Sequence, residues 1–181
     1  GGLSFSIGNY AQSTKPSAMA LGTASLSSGF NSLAMMRQSA ATGNFSTAIG
    51  TTSWASGTGS FALGYSAQSK GDQSIAIGAA EPITVAGSGN EPSAAYNGNT
   101  NTVTEGARSL AFGTKARTEA AASDSMAFGS NAKTKAANAV AMGNSSRATA
   151  TDAFAFGNTA QATGANAIAM GRTAQASKVN A

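Results

Sequence analysis

The chain has 181 residues, contains neither cysteine nor histidine, and carries a net charge of +4 at neutral pH. Without cysteine there is no disulfide framework and no thiolate, and without histidine the commonest general base and metal ligand are missing. Asp and Glu pairs with acid–base spacing are also missing. The composition therefore predicts no enzyme, no catalytic residues, no cofactor and no metal.

The charge is unevenly distributed along the chain. Residues 106–181 carry eight basic and three acidic side chains, whereas residues 1–105 carry three basic and four acidic ones. A basic half can attract polyanions, but it has no aromatic spacing typical of a base-stacking platform. We therefore favour a solvated polar face over a nucleic-acid or heparin-type site and predict no nucleic-acid partner.

No apolar run approaches the ~18 residues that span a bilayer, and no signal peptide is recognisable. The chain starts with Gly-Gly and has no initiator Met. We expect a fragment of a longer protein, with any membrane anchor or export signal in regions outside it.

A five-residue unit recurs through the chain, for example as SIAIG at 74–78, SLAFG at 109–113 and SMAFG at 125–129. The closing glycines, called motif glycines below, are mostly 14 residues apart, with longer steps from 78 to 113 and from 113 to 129. Met36 takes the place of one motif glycine. Eleven units follow one register, which indicates a repeat architecture.

Within each unit, large apolar residues stand one and three positions before the motif glycine, with a small residue between them. Thr47 is the exception at the outer of these positions. A period of two is typical of a β-strand. After the glycine, Ala160 and Ala162 alternate with Gln161, which predicts a second strand with a small inner face. Two short strands and two turns make one 14-residue coil of a β-solenoid, with successive coils about 4.8 Å apart.

The large apolar residues all project from one face of the first strand. If they point outward, they form an apolar stripe that needs a partner; if they fill the coil, the Ala and Ser face must meet the partner instead. The thin coil favours the first arrangement, and both predict an obligate oligomer. The residues predicted to form the structural core or the contacts of this oligomer are Ile75, Ile77, Leu110, Phe112, Met126, Phe128, Val140, Met142, Phe154, Phe156, Ile168 and Met170.

Two regions are candidate ligand surfaces in what we predict to be one continuous domain. Residues 79–105 are predicted to form an inserted loop between repeats at 1–78 and 106–181, and this loop contains Tyr96. Loops on rigid scaffolds often carry function, but a tolerated insertion or a contact with a neighbouring chain is the alternative. The other candidate is an outer row four positions after the motif glycines, formed by Arg117, Lys133, Arg147 and Gln161. It could meet an acidic or hydrogen-bonding fibrous ligand, or it could only solubilise the surface.

The repeat resembles the YadA-like head repeat of trimeric autotransporter adhesins, with NSLAM at 31–35, QSIAIG at 73–78 and RSLAFG at 108–113 as close matches. The resemblance implies a left-handed parallel β-roll that assembles as a homotrimer on the surface of a Gram-negative bacterium. It implies multivalent attachment to host cells and extracellular matrix, with an outer-membrane anchor elsewhere in the protein. Met36, Thr47 and the insertion depart from the pattern. A trimeric viral or phage fibre, or another structural β-solenoid, is the alternative.

Overall fold

Each repeat forms two short strands joined by two turns. The computed structural model describes residues 2–81 and 100–181 and contains two parallel sheets of eleven strands each. The odd-numbered strands form the first sheet: β1 Phe5–Ile7, β3 Met19–Leu21, β5 Leu33–Met35, β7 Thr47–Ile49, β9 Phe61–Leu63, β11 Ile75–Ile77, β13 Leu110–Phe112, β15 Met126–Phe128, β17 Val140–Met142, β19 Phe154–Phe156 and β21 Ile168–Met170.

The even-numbered strands form the second sheet: β2 Gln12–Ser13, β4 Leu26–Ser27, β6 Ala40–Ala41, β8 Trp54–Ala55, β10 Gln68–Ser69, β12 Val103–Thr104, β14 Arg117–Thr118, β16 Lys133–Thr134, β18 Arg147–Ala148, β20 Gln161–Ala162 and β22 Gln175–Ala176. Every strand pairs in parallel with its equivalent in the next coil, so that Ile77 aligns with Phe112 and Phe112 with Phe128. The eleven predicted coils are confirmed. The extra residues in the longer steps between motif glycines, from 78 to 113 and from 113 to 129, lie between strands and do not change the register of the strand pairing.

The turns of the coil place residues in the left-handed region of backbone conformation. One such position lies five residues before the motif glycine, where Asn31, Asp124 and Asn138 have φ angles of 50°, 55° and 57°. Asn and Asp tolerate this conformation better than most residues because their short polar side chains can bond locally. The polar residue that begins the repeat motif is therefore a turn residue.

The motif glycine meets two constraints at once. Gly157 has φ +135°, and a Cβ atom there would lie 2.4 Å from the carbonyl oxygen of Gly171 in the next coil. Met36, the one substitution at this position, has φ 93° and a half-exposed side chain. Its backbone thus keeps a positive φ, but one nearer to the left-handed region that L-residues can occupy.

The interior of the roll is filled by small residues. The central alanines of the first-sheet strands, such as Ala48, Ala62 and Ala127, are 0% exposed. Phe112 and Phe128, which directly follow the central alanines of their strands, are 41% and 42% exposed. Ala160 and Ala162 of the second sheet are also fully buried. The large apolar residues therefore point outward, which is the arrangement that the thin coil favours.

A network of hydroxyl groups divides the alanine interior. Alanine clusters occupy 34–67 and 139–176. Between them, the Ser69 hydroxyl lies 2.7 Å from that of Ser74 and 3.0 Å from that of Thr104, and the Ser109 and Thr118 hydroxyls are 2.8 Å apart. The contact between Ser69 and Thr104 joins neighbouring strands of the second sheet. The other two contacts cross the interior to a serine that directly precedes a first-sheet strand, and all three satisfy polar groups that water cannot reach.

The insertion leaves and rejoins the roll at the turn between β11 and β12. The amide of Ala80 donates to the carbonyl of Tyr65 at 2.9 Å, and β12 pairs with both β10 and β14. The predicted loop 79–105 is therefore shorter at its C-terminal end, because Thr102 and Thr104 fit the small interior and Val103–Thr104 supplies the second strand of this coil. Tyr96 lies outside the described residues.

Candidate ligand-binding surface

The outer row lies on the second sheet and runs along the rod axis. Arg117 aligns with Lys133, Lys133 with Arg147, and Arg147 with Gln161 in successive parallel pairs. Stacking of equivalent positions places these four side chains on one outward face, as the spacing predicts. Their role in binding a ligand stays a prediction.

Acidic side chains neutralise part of this row. Arg117 Nη2 lies 3.0 Å from Glu105 Oε1, and Lys133 Nζ lies 2.5 Å from Glu119 Oε1. Arg147 is exposed and has no ion-pair partner among the described residues. The row is thus an ion-paired network that ends in one unpaired cation and a glutamine.

Glu119 responds to these neighbours. Its desolvation is the largest single influence and raises the pKa, but the hydrogen bond from Lys133 and the attraction of Lys133, Lys135 and Arg117 together outweigh it. The pKa of Glu119 is therefore held below its usual value. It stays ionised at neutral pH and keeps Lys133 paired.

Trp54 belongs to the same outward column as the residues of the outer row. It stands four residues after Gly50, pairs in register with Gln68, and is 41% exposed. The Lys70 ammonium lies 5.8 Å from its ring centroid, and its indole Nε1 donates to Thr42 Oγ1 at 3.4 Å. The spacing rule that predicts the outer row would also have found this residue.

The apolar stripe covers the outward face of the first sheet. It consists of two parallel columns, and all twelve residues predicted from the sequence as core or trimer contacts belong to them. Phe112 and Phe128 stack with their ring centroids 4.8 Å apart and an interplanar angle of 7°. Phe156 is 46% exposed and Met170 66% exposed, so this face is uncovered in the single chain.

Across 2–81 and 100–181, no group of three or more Asp and Glu side chains could hold a metal ion. Within the same ranges, no helix has the length and hydropathy needed to cross a membrane.

Comparison with known proteins links the repeat to one family. The family model described as the YadA head domain repeat (2 copies) matches eight overlapping segments that together cover 27–80 and 105–181. No curated protein sequence matches the chain significantly. The family match confirms the resemblance predicted from the motifs, and with it the left-handed parallel β-roll.

A solved structure is similar to the chain at 22% sequence identity: the collagen-binding domain of the Yersinia adhesin YadA. The alignment covers 86% of this chain and 66% of that structure, with a TM-score of 0.39. The chain thus spans slightly less than two thirds of the length of that domain.

Proposed function

Since the chain belongs to the YadA head-domain family, we propose that it is the trimeric head of a bacterial cell-surface adhesin. In this role the head attaches a Gram-negative bacterium to host cells and extracellular matrix, and an outer-membrane anchor lies in regions outside this chain. Its function is adhesion rather than catalysis. The observation that carries the proposal is the apolar stripe on the first sheet.

The stripe is the surface that three chains would share. A soluble monomer rarely exposes an apolar patch larger than a few hundred Å², and this one runs along all eleven first-sheet strands. Identical chains usually assemble with closed rotational symmetry. Three stripes that meet at a common axis remove the phenylalanines and methionines from water and leave the second sheets outside.

The exposed second sheets would then bind large partners. Trimerisation presents three copies of the outer row and of Trp54 in the same orientation. When several weak contacts are linked, the overall binding strength can exceed the affinity of one contact by a factor of about 10²–10⁴. A flat, repetitive face is suited to this kind of binding because each coil offers a similar contact.

The oligomeric state tests the first part of the proposal. Light scattering should give three times 17.6 kDa for the chain. Phe128→Asp and Ile77→Asp should lower the mass because they place a charge in the shared interface. Gln161→Asp is the matched control, since it introduces the same side chain at an exposed position of the other sheet. A folded monomer of the unmodified chain would contradict the proposal.

Binding to immobilised collagen, fibronectin and laminin tests the second part. We expect the trimer to bind at least one of them, and the Phe128→Asp variant to dissociate much faster because avidity is lost. Replacing Arg117, Lys133 and Arg147 together by glutamine should weaken binding if the outer row contacts the ligand. A trimer that binds none of these proteins would contradict matrix attachment. Equal binding by the triple variant would show that the outer row does not contact the ligand.

A further inference from the structure

All six methionines of the chain lie on the apolar stripe or directly beside it. The stripe takes only two residues from each of the eleven first-sheet strands, yet it contains five of the six. Met36 stands in the turn that follows Met35, and each of the six lies outside the interior of the roll. A change to the methionine side chains would therefore alter one surface and leave the interior as it is. The five in the stripe are Met19, Met35, Met126, Met142 and Met170.

The single chain leaves these side chains open to a small oxidant. Met170 is 66% exposed, Met19 and Met36 are also exposed, and the other three are half-buried. The sequence has no cysteine, so the thioether sulfur atoms are its only sulfur groups. No thiol of the chain therefore competes with them for a peroxide.

Oxidation changes the chemical character of the stripe at each methionine. The O–O bond of a peroxide breaks, one oxygen atom bonds to the methionine sulfur, and the other leaves as water or as an alcohol. The sulfur loses two electrons, which the peroxide gains. Methionine sulfoxide is polar where methionine is apolar, and its formation disrupts methionine-rich interfaces.

The neighbours of two stripe methionines offer no donor to a sulfoxide oxygen. Met142 pairs in register with Phe128 and Phe156, and Met170 pairs with Phe156. The phenyl side chains of these neighbours carry no hydrogen-bonding N–H or O–H group. In a trimer built on the stripe, a sulfoxide oxygen would be buried as an unpaired acceptor, and each modified position would occur three times.

We propose that the stripe methionines are oxidation sites that make assembly of the chain sensitive to peroxide. Oxidation of the single chain yields a folded roll that does not trimerise, because the interior of alanine, serine and threonine is unaffected. Assembly in turn covers the sulfur atoms and protects them. The proposal rests on the trimer proposed above, and reduction of the sulfoxides would restore assembly.

Refolding from guanidinium tests the effect of oxidation on assembly. The chain is unfolded, treated with hydrogen peroxide, freed of peroxide and refolded by dilution. Light scattering should then give about 17.6 kDa at a concentration where untreated chain, taken through the same cycle, returns to three times that mass. The dissociation constant should rise at least about tenfold, because each sulfoxide leaves a buried acceptor unpaired. Methionine sulfoxide reductases A and B with a thiol reductant should restore the trimer.

A variant with leucine in place of the five stripe methionines is the matched control. Leucine is apolar, similar in volume to methionine, and unable to form a sulfoxide. The variant keeps Met36 and Trp54, so it reports on oxidation outside the stripe. It should return to the trimer mass with or without peroxide. Loss of its trimer after peroxide treatment would overturn the proposal, and so would an oxidised unmodified chain that still forms trimers.

Peroxide treatment of the folded protein gives a second readout. Peptide mass mapping shows the added oxygen atom at each methionine, in the trimer and in the Phe128→Asp variant that should not assemble. The stripe methionines should react clearly more slowly in the trimer, and Met170 should react before Met126 in the variant because it is more exposed. Equal rates in the two proteins would overturn the proposal. This comparison decides if circular dichroism shows that the oxidised chain does not refold.

Failure of the trimer and failure of the oxidation sites give different results. An untreated chain that is monomeric after the refolding cycle would contradict the trimer itself and would overturn both proposals. A trimer that forms from oxidised chains would overturn only the role of the methionines.

Discussion

The stacking of motif glycines predicts that one methyl group will have very different costs at two equivalent positions. Gly157 and Gly171 both have positive φ, +135° and +115°. A Cβ atom at Gly157 would lie 2.4 Å and 2.6 Å from the carbonyl oxygen and carbon of Gly171, whereas a Cβ at Gly171 meets nothing within 4 Å. Alanine at either position carries backbone strain, but only Gly157→Ala also meets the next coil.

The difference can be estimated from the geometry. Strain at an unfavourable φ costs about 1–3 kcal/mol, and both variants share it. To bring the Gly157→Ala contact to an ordinary van der Waals distance, the neighbouring backbone must move by about 1 Å. That movement disturbs the bond from the Gly171 amide to the Phe156 carbonyl, now 2.8 Å, and the loss of one or two such bonds adds about 1–2 kcal/mol. We expect Gly157→Ala to cost about 2–5 kcal/mol, and Gly171→Ala only the shared strain of about 1–3 kcal/mol.

Guanidinium unfolding followed by circular dichroism at equal protein concentration measures both variants. Gly157→Ala should shift the midpoint clearly further than Gly171→Ala. In a solenoid each coil contacts only its neighbours, so the disturbance should stay local and the far-ultraviolet spectrum should keep its β character. Equal midpoints for the two variants would refute the argument, because they would mean that backbone strain alone determines the need for glycine.

Other positions give independent checks. Met36→Gly should raise the free energy of unfolding by about 1 kcal/mol because it relieves a residue at φ 93°, and a lower midpoint in the same denaturant assay would contradict this. The hydrogen bond and charge of Arg108, against a smaller effect of desolvation, hold the pKa of Asp124 below its usual value. The stabilisation from this pair is therefore present above the unfolded-state pKa of Asp, about 3.9, and is lost as the pH falls through the lower folded-state pKa. Carboxyl NMR titration should show a higher pKa for Asp124 in Arg108→Gln, and an unchanged pKa would refute the pairing. Ala127→Leu should destabilise the chain by at least about 1–3 kcal/mol because Ala127 is 0% exposed in a narrow interior, whereas Met126→Leu on the outward face should be nearly neutral; similar thermal midpoints for the two would contradict the packing argument.

The sequence by itself determined the coil and its register. The period of two around each central alanine predicts the strands, and the spacing of the motif glycines predicts which residues stack. Arg117, Lys133 and Arg147 could be placed in one row for this reason: equivalent positions of a solenoid must align if the coils do. The same rule places Trp54 in this row, four residues after Gly50.

Other features depended on the tertiary structure. A period-two strand has two faces, and its pattern alone does not say which face is enclosed; closure of a thin coil around Ala127 and its equivalents decided that. Strand β12 at Val103–Thr104 follows the insertion and carries no motif, so only its pairing with both neighbouring strands identifies it as part of the roll.

The ion pair between Glu81 and Lys115 was likewise beyond the sequence. Glu81, Asn101 and Lys115 are separated along the chain, and the contact between Glu81 and Lys115 forms only because the coil after the insertion stacks back on the one before it. Local periodicity specifies each coil, since it acts over a few residues. Contacts across an interrupted coil depend on where the chain re-enters the stack, and the folded backbone alone determines that.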